Sequence, residues 1–508
     1  MSMFLYGAAV QGIQDFIFQT NELKDIVGAS ELVEEICTEY FKEFEVANGN
    51  AIVKAAGNIK YIFLRKEDCE KAVLNFPKKV MVKAPGITVS QAVVEVEDDT
   101  AKDWFKKAVD DLEQKLKVQR NRPSQNLTLG FLGTKRSPKT GRPVWGDGKE
   151  KNGKGELLDE AVTKMREAFD DAKDRLVRSS FGLSSEELKG KITDKIDKFA
   201  KFNDWIAVIH ADGNGLGNII RTIGDDDATL SKFSEGLNDA TERSAQKAFD
   251  SIKCRFTDYG KIDIIPIRPI VVGGDDFTVI CRADFALDYV TEYLKQFENN
   301  TETFIKELKK DNEKLRNSGI DKLTACAGIA YIKSSFPFHY GYHLAEKLCD
   351  YAKSVSRKNS CLMFHKVQDS FVEDFKSIIN RELTIPENES FVFGPYFAKE
   401  VEAGKENEYW TVCKLTTIKD KLSDEEGNKV KSAIRQFIGL LKAGDGRNFS
   451  KLRRIIAIVK QSNDKLEDVV KEITKGERRK NADGKEVHYY PAYDILSLLS
   501  VENQVTKK

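Results

Sequence analysis

The chain has 508 residues, long enough for two to four domains with separate buried cores. Hydrophobic residues at 41% and charged residues at 32% describe an ordinary soluble globular protein. Lys+Arg and Asp+Glu both total 81, so whole-chain charge gives no sign of a nucleic-acid or membrane partner, though a local basic groove remains compatible with it. The eight cysteines are scattered without a C-x-x-C pair, which offers neither a zinc site nor a disulfide framework. They read as buried free thiols in a reducing cytoplasm. The apolar start, Met1 to Val10, is short, lacks a basic lead and is interrupted by Gln11 and Asp15. A cytoplasmic protein without signal peptide or membrane span is expected.

Residues 3–10 read as a strand and 13–45 as one or two helices, with Leu23, Ile26, Leu32 and Ile36 in an amphipathic pattern. Ala51–Ala55 and Tyr61–Leu64 flank a turn at Gly57-Asn58, a hairpin signal. A helix near 67–83 and the alternating segment Ile87–Val96 close the unit. Strand, helix, hairpin, helix, strand is the order of a ferredoxin-like α+β sandwich. Residues 100–118 read as a helix, Gln119–Glu156 as a long exposed loop rich in Gly, Pro, Lys and Arg, and 156–200 as a charged helical stretch.

A second unit begins with the strand Trp205–Ala211, a helix after Gly217 and another near 227–252. Ile262–Val272 and Phe277–Cys281 flank a hairpin tip, Gly273-Gly274-Asp275-Asp276. Helix 283–316, strand Leu323–Ile332 and helix 340–355 follow, and 367–508 reads as mostly charged and helical, with a linker around 383–407. The expected division is a first α+β domain at 1–100, a connecting region at 101–200, a second α+β domain at 201–366 and a helical domain at 367–508.

The two units read as an internal repeat. Ala9-Val10-Gln11-Gly12-Ile13 aligns with Asp212-Gly213-Asn214-Gly215-Leu216, and Ala56-Gly57-Asn58-Ile59 with Gly273-Gly274-Asp275-Asp276, one modest insertion reconciling the spacings. In this alignment Ala, Asn or Ile in the first copy replaces every carboxylate of the second.

The hairpin tip carries the chemistry. Glycine permits close approach of backbone to a phosphate, and flanking strands of Ile, Val and Phe hold the tip on a rigid edge. Adjacent carboxylates repel, a cost that bound cations remove, and hard oxygen donors suit Mg²⁺ or Mn²⁺. Asp212, ending the apolar strand, supplies a third carboxylate, and Gly213, Gly215 and Gly217 after it let backbone pass close to a triphosphate. Asp212, Asp275 and Asp276 are thus the candidate metal ligands and catalytic residues for a two-metal nucleotidyl transfer. Gly213, Asn214, Gly215, Gly273 and Gly274 line the candidate nucleotide site, and Lys353 would offset phosphate charge. G-G-D-D alone is an ordinary turn signal, Asp-Gly a common helix cap, and a helical lysine usually just solvated. His210 lies two residues before Asp212, yet five histidines in the whole chain form no cluster, so a histidine-dependent metallohydrolase is set aside.

Ile270 to Phe277, with Asp212 to Gly217, resembles the catalytic palm of the large subunit of type III CRISPR effector complexes, a family related to the GGDEF nucleotide cyclases. Gly12-Ile13-Gln14-Asp15-Phe16-Ile17-Phe18, followed by Leu23 and Gly28-Ala29-Ser30, resembles the opening of that family's first palm. Ala325 to Ala330 and Ala345 to Lys353 resemble the strand and helix that complete a cyclase palm. The resemblance implies two ferredoxin-like palm domains, the first degenerate, plus a helical C-terminal domain. It implies an enzyme that turns ATP into cyclic oligoadenylate signals in a CRISPR-like antiviral defence, working with RNA-guided effector subunits, crRNA and target RNA. The N-terminal HD nuclease domain and the Cys-rich zinc insert of that family are not expected here. Two alternatives stay open: a nucleotide-binding scaffold without turnover, and a GGDEF-like cyclic dinucleotide synthase.

Overall fold

The computed structural model describes residues 3–96, 104–121, 133–146, 156–200, 204–258, 264–368, 374–401, 408–444, 454, 457 and 464–502, except 56, 185, 188–190, 194, 224–225, 387, 424 and 482. The chain is α+β. Strands β1 (Met3–Gln11), β2 (Asn50–Ala55), β3 (Asn58–Phe63) and β4 (Thr88–Val96) form an antiparallel sheet in the order β2-β3-β1-β4. The central strand β1 is buried along most of its length because both its faces are covered. On one face Gly7 lets Leu112 of helix Trp104–Arg120 reach the backbone, where an added Cβ would lie 2.7 Å from it. On the other face Tyr6 stacks on Phe41 with ring centroids 5.7 Å apart.

The second sheet contains β5 (Trp205–Gly213), β6 (Ile267–Gly273), β7 (Asp276–Arg282), β8 (Ala325–Lys333) and β9 (Cys361–Lys366). Short strands follow: β10 (Thr384–Ile385), β11 (Glu389–Ser390), β12 (Tyr396–Phe397), β13 (Glu477–Lys480) and β14 (Glu486–Tyr489). The large sheet runs β12-β9-β8-β5-β7-β6, so its β8-β5-β7-β6 core repeats the β4-β1-β3-β2 order of the first sheet. Both hairpins carry an irregularity in their outer half, at Ala51/Val53 and at Pro269/Val271. Pro269 is tolerated there because β6 is an edge strand and needs no donor on its open side.

Strand register corrects the repeat alignment by one residue. Ala9 lies opposite Asn58 just as Asp212 lies opposite Asp276, and β2 closes on β3 through Ala55 and Asn58 as β6 closes on β7 through Gly273 and Asp276. Asn58 therefore stands where Asp276 does, not Ile59, and Gly57 stands where Asp275 does. A one-residue slip reverses every side chain of a strand, so the correction decides which face each residue serves. Ala56 lies outside the described residues.

The expected linker at 383–407 is instead occupied by β10–β12 and by buried Phe391, Phe393 and Tyr396, with 402–407 outside the described residues. The tail is helical as expected but also holds the sheet β10-β11-β14-β13. Strands of two to four residues, paired parallel across a hundred positions at β11–β14, leave no local periodicity to read. Of the expected loop Gln119–Glu156, the structure describes 119–121, where the helix runs on to Arg120, then 133–146 and 156; Lys139 pairs with Glu22 and Glu156 and so ties that segment to the first domain. All eight cysteines are free; Cys254 and Cys413 are exposed and the other six buried. Among the described residues, no helix is long and apolar enough to cross a membrane.

Helix Leu23–Cys37 crosses helix Glu160–Phe181 at Gly28, where an added Cβ would lie 1.7 Å from the Met165 carbonyl oxygen. Arg166 flanks this crossing and donates to Asp25 at 2.8 Å, Glu22 at 3.0 Å and Glu156 at 2.7 Å. Backbone cannot yield as a side chain can. Gly28→Ala should therefore lower stability by about 2 kcal/mol or more, read as a lower urea midpoint at unchanged m-value. Gly133→Ala, where an added Cβ meets nothing within 4 Å, should leave the midpoint where it is.

Candidate functional site

β5 delivers Asp212 to the sheet edge, and the residues after it turn the chain into helix Leu216–Ile223. A Cβ on Gly213 would lie 2.9 Å from Leu216 and 3.1 Å from the Asp275 Cβ, so glycine is what lets the hairpin tip lie against β5. Gly215 makes the turn with φ of 75°. Asn214 points inward: its backbone N–H donates to the Thr324 carbonyl at 2.8 Å and its side-chain amide to Thr324 Oγ1 at 3.0 Å and Cys326 Sγ at 3.3 Å. It anchors the turn to β8, whereas the sequence reading placed it along the candidate nucleotide site.

The tip itself is clamped by helix Asp227–Asp258. The Gly274 N–H donates to Asn238 Oδ1 at 3.1 Å, and Thr241 Oγ1 donates to the Gly274 carbonyl at 2.5 Å. Asn238 is oriented in turn by donating to Glu242 at 3.1 Å. Gly273 approaches the same amide so closely that an added Cβ would lie 3.2 Å from it. Sequence reasoning missed Asn238 and Thr241. Their spacing of three places them on one helical face, but nothing in the letters says that this face meets the tip.

Asp212 and Asp276 are direct cross-strand partners, and Asp275 sits on the turn beside them. Burial pushes the Asp275 carboxyl up to about 7, with the Asp212 and Asp276 charges adding to the rise. Asp276 is also raised, first by burial, against the lowering effect of His210. The Asp212 and Asp276 side chains nonetheless keep 38% and 41% of their exposure, so water and ions reach them.

Lys353, expected opposite the phosphates, has its ammonium on the Asp212 carboxylate and within 3.2 Å of the Gly213 carbonyl. Among the described residues no three His, Cys, Asp or Glu side chains are already gathered to hold an ion. The three aspartates still fit a divalent cation. They are hard oxygen donors whose repulsion is eased by the raised Asp275 carboxyl and by the Lys353 ammonium, and a cation would take the place of the Asp275 proton beside that ammonium.

His210, set aside as a ligand, belongs to the site's support. Two residues before Asp212 on β5, it shares that residue's face of the sheet. Its Nδ1 lies 3.2 Å from Thr278 Oγ1 and 3.5 Å from Asp276 Oδ1. Beside the tip opens a cavity of about 260 Å³ between the two domains. Gly274, Asp275 and Leu237 line it from the second domain, and Ile52, Asn58 and Lys60 from the β2–β3 hairpin of the first.

The raised carboxyl of Asp275 has a consequence for stability. Between pH 4 and 7 the folded state holds a proton that the unfolded state has released, so stability falls as pH rises through that window. In chelator, wild-type Tm should drop from pH 5 to pH 8. Asp275→Asn should remove part of that drop and lie about 2–5 °C above wild type at pH 8, with no gain at pH 5, measured by calorimetry.

Residues 205–362 match the family model described as Cas10/Cmr2, second palm domain. No curated protein matches the chain. Among solved structures, the chain is similar to a Csm1–Csm4 cassette in complex with cA4, at a TM-score of 0.52 and 15% identity over 99% of this chain and 70% of that one. A Csm1–Csm4 cassette with pppApApA gives 0.52 and 15% over 99% and 69%, and one with cA3 gives 0.51 and 15% over 98% and 69%. At this identity the likeness is one of fold, and it extends beyond the matched segment to both sheets and the tail. Residues 205–362 thus match the second palm domain of Cas10/Cmr2, within a chain whose fold is similar to that of those structures.

Proposed function

We propose that the protein is a metal-dependent nucleotidyltransferase that joins ATP into cyclic oligoadenylates within a type III CRISPR-like defence system. The observation that carries this reading is the meeting of Asp212, Asp275 and Asp276 at one sheet edge of a Cas10/Cmr2 palm domain, beside a cavity shared with the first domain. The relatives' structures hold cA3, cA4 and linear pppApApA, which supports an adenylate product.

In this reading Asp212, Asp275 and Asp276 hold Mg²⁺ or Mn²⁺, which supplies activation of a 3′-hydroxyl and stabilisation of the departing pyrophosphate. Gly213, Gly273 and Gly274 leave the tip bare of side chains, so phosphates approach the backbone closely. The clamp from Asn238 and Thr241 keeps the tip from moving as charge builds. The apolar wall of the cavity excludes water from the nucleotide's base, and Asn58 and Lys60 offer it polar contacts from the first domain. Asn58 and Gly57 replace the carboxylates of the second copy, which makes the first domain a nucleotide-binding wall with no metal chemistry of its own. Effector subunits with crRNA and target RNA would supply the activating signal.

A second reading is a nucleotide-binding scaffold without turnover. It is favoured by the Lys353–Asp212 pair and by the lack of a ready-gathered ligand set among the described residues. Purified protein with ATP and Mn²⁺ or Mg²⁺, alone and with RNA-loaded partner subunits, separates the two by mass spectrometry of the products. Cyclic oligoadenylate supports synthesis, cyclic dinucleotide from GTP indicates a GGDEF-like enzyme, and ATP binding with no pyrophosphate release supports the scaffold. Asp275→Ala with Asp276→Ala should cut product formation by roughly three orders of magnitude. Thermal stability should be held or raised, since the change removes repelling carboxylates.

A further inference from the structure

Among the described residues, no hydrogen bond or ion pair joins the segment Gly12 to Phe18 to the three aspartates, yet it is bound to the helix that serves them. Helix Phe338–Val355 carries Tyr342, Glu346 and Lys353 along one stripe, at steps of four and seven residues. The C-terminal end of that stripe is the Lys353 ammonium on Asp212. Its other positions are held from the first domain. Gln14 Nε2 donates to Glu346 Oε1 at 2.7 Å and to the Tyr342 hydroxyl at 3.3 Å. Phe18 packs on Tyr342 and Phe338 with ring centroids 4.2 and 5.5 Å away.

A second route leaves the same residue. Tyr342 is buried and meets the edge of the His210 ring at 5.5 Å between centroids. His210 then reaches Thr278 at 3.2 Å and Asp276 at 3.5 Å. Two members of the carboxylate set, Asp212 through Lys353 and Asp276 through His210, are therefore supported by one helix. Among the described residues, the polar contacts of that helix with the first domain are those of the Gln14 amide and, at its N-terminal end, His339 with Asn21 at 3.2 Å.

We propose that Gln14 is a positioning residue, which seats helix Phe338–Val355 so that Lys353 and His210 hold Asp212 and Asp276 in place, and which thereby makes the site's cation affinity depend on how the first domain docks. The proposal rests on the metal-site reading above and adds a regulatory input to it. A partner that shifts the first domain by about an ångström breaks the 2.7 Å bond and loosens two ligands, with no contact of its own at the site.

The test uses the full chain and Mn²⁺ alone, with affinity read by electron paramagnetic resonance in the absence of nucleotide. Gln14→Glu sets two carboxylates face to face, and adding Glu346→Gln to it restores a donor–acceptor pair. Gln14→Glu should weaken Mn²⁺ binding about five- to tenfold, and the double variant should return it to within about twofold of wild type. Thermal midpoints should stay together. The sign is informative, because an added negative charge acting only through space would tighten cation binding.

Unchanged or tighter Mn²⁺ binding in Gln14→Glu, or no recovery in the double variant, overturns the proposal. A wild-type protein that binds no Mn²⁺ overturns the metal-site reading instead. The coupling is then read as hydrogen exchange of the 211–213 and 274–277 amides, faster in Gln14→Glu and restored in the double variant. Exchange that does not respond overturns it there too.

Discussion

Three carboxylates within one turn and one cross-strand pair repel one another, and much of the second domain is arranged to bear that repulsion. The strands beneath are apolar and buried, so the sheet edge cannot splay to separate Asp212 from Asp276. The tip is held by Asn238 and Thr241, so Asp275 cannot swing out freely into water. What remains is neutralisation: a proton raised onto Asp275 and an ammonium brought in by Lys353. On the proposed reading, that cost is offset where a cation and a polyphosphate are received.

The first domain has the same strand order without the load. Ala9 and Asn58 occupy the positions of Asp212 and Asp276, and Gly57 that of Asp275. With no charge to hold apart, its hairpin is free to serve as a wall, and Ile52, Asn58 and Lys60 line the cavity beside the other tip. One topology thus yields two different surfaces. The asymmetry arises from a few side chains at strand ends, where substitution leaves the buried pairing untouched.

Much of this was legible in the letters because it is local. Alternation along β4, the apolar runs of β1 and β5 and the Gly-Gly-Asp-Asp turn each follow from neighbours within a few residues. The strand order followed from the two hairpins, since a ferredoxin-like sheet leaves little other choice. The repeat alignment slipped by one residue because faint similarity fixes a hairpin's place but not its register. The small sheet of the tail was hidden, its pairs being short and distant in sequence. Asn214 illustrates the limit at the site. Its place in a glycine-rich turn suggests a ligand contact, and only the three-dimensional neighbours, Thr324 and Cys326, reveal a peg driven into β8.

Lys353 joins the two views. As a residue of the sequence it suited a triphosphate; in the fold it rests on Asp212, only 14% exposed. Removing the carboxylate would leave that mostly buried ammonium uncompensated, which is costly. A divalent cation at Asp212 would instead share that carboxylate with the ammonium, which would go on holding it in place. On the proposed reading the ammonium, 3.2 Å from the Gly213 carbonyl, would lie where the phosphates approach. Seating Asp212 and meeting the phosphates would then be two roles of one side chain, which needs both the carboxylate beside it and the open backbone at Gly213.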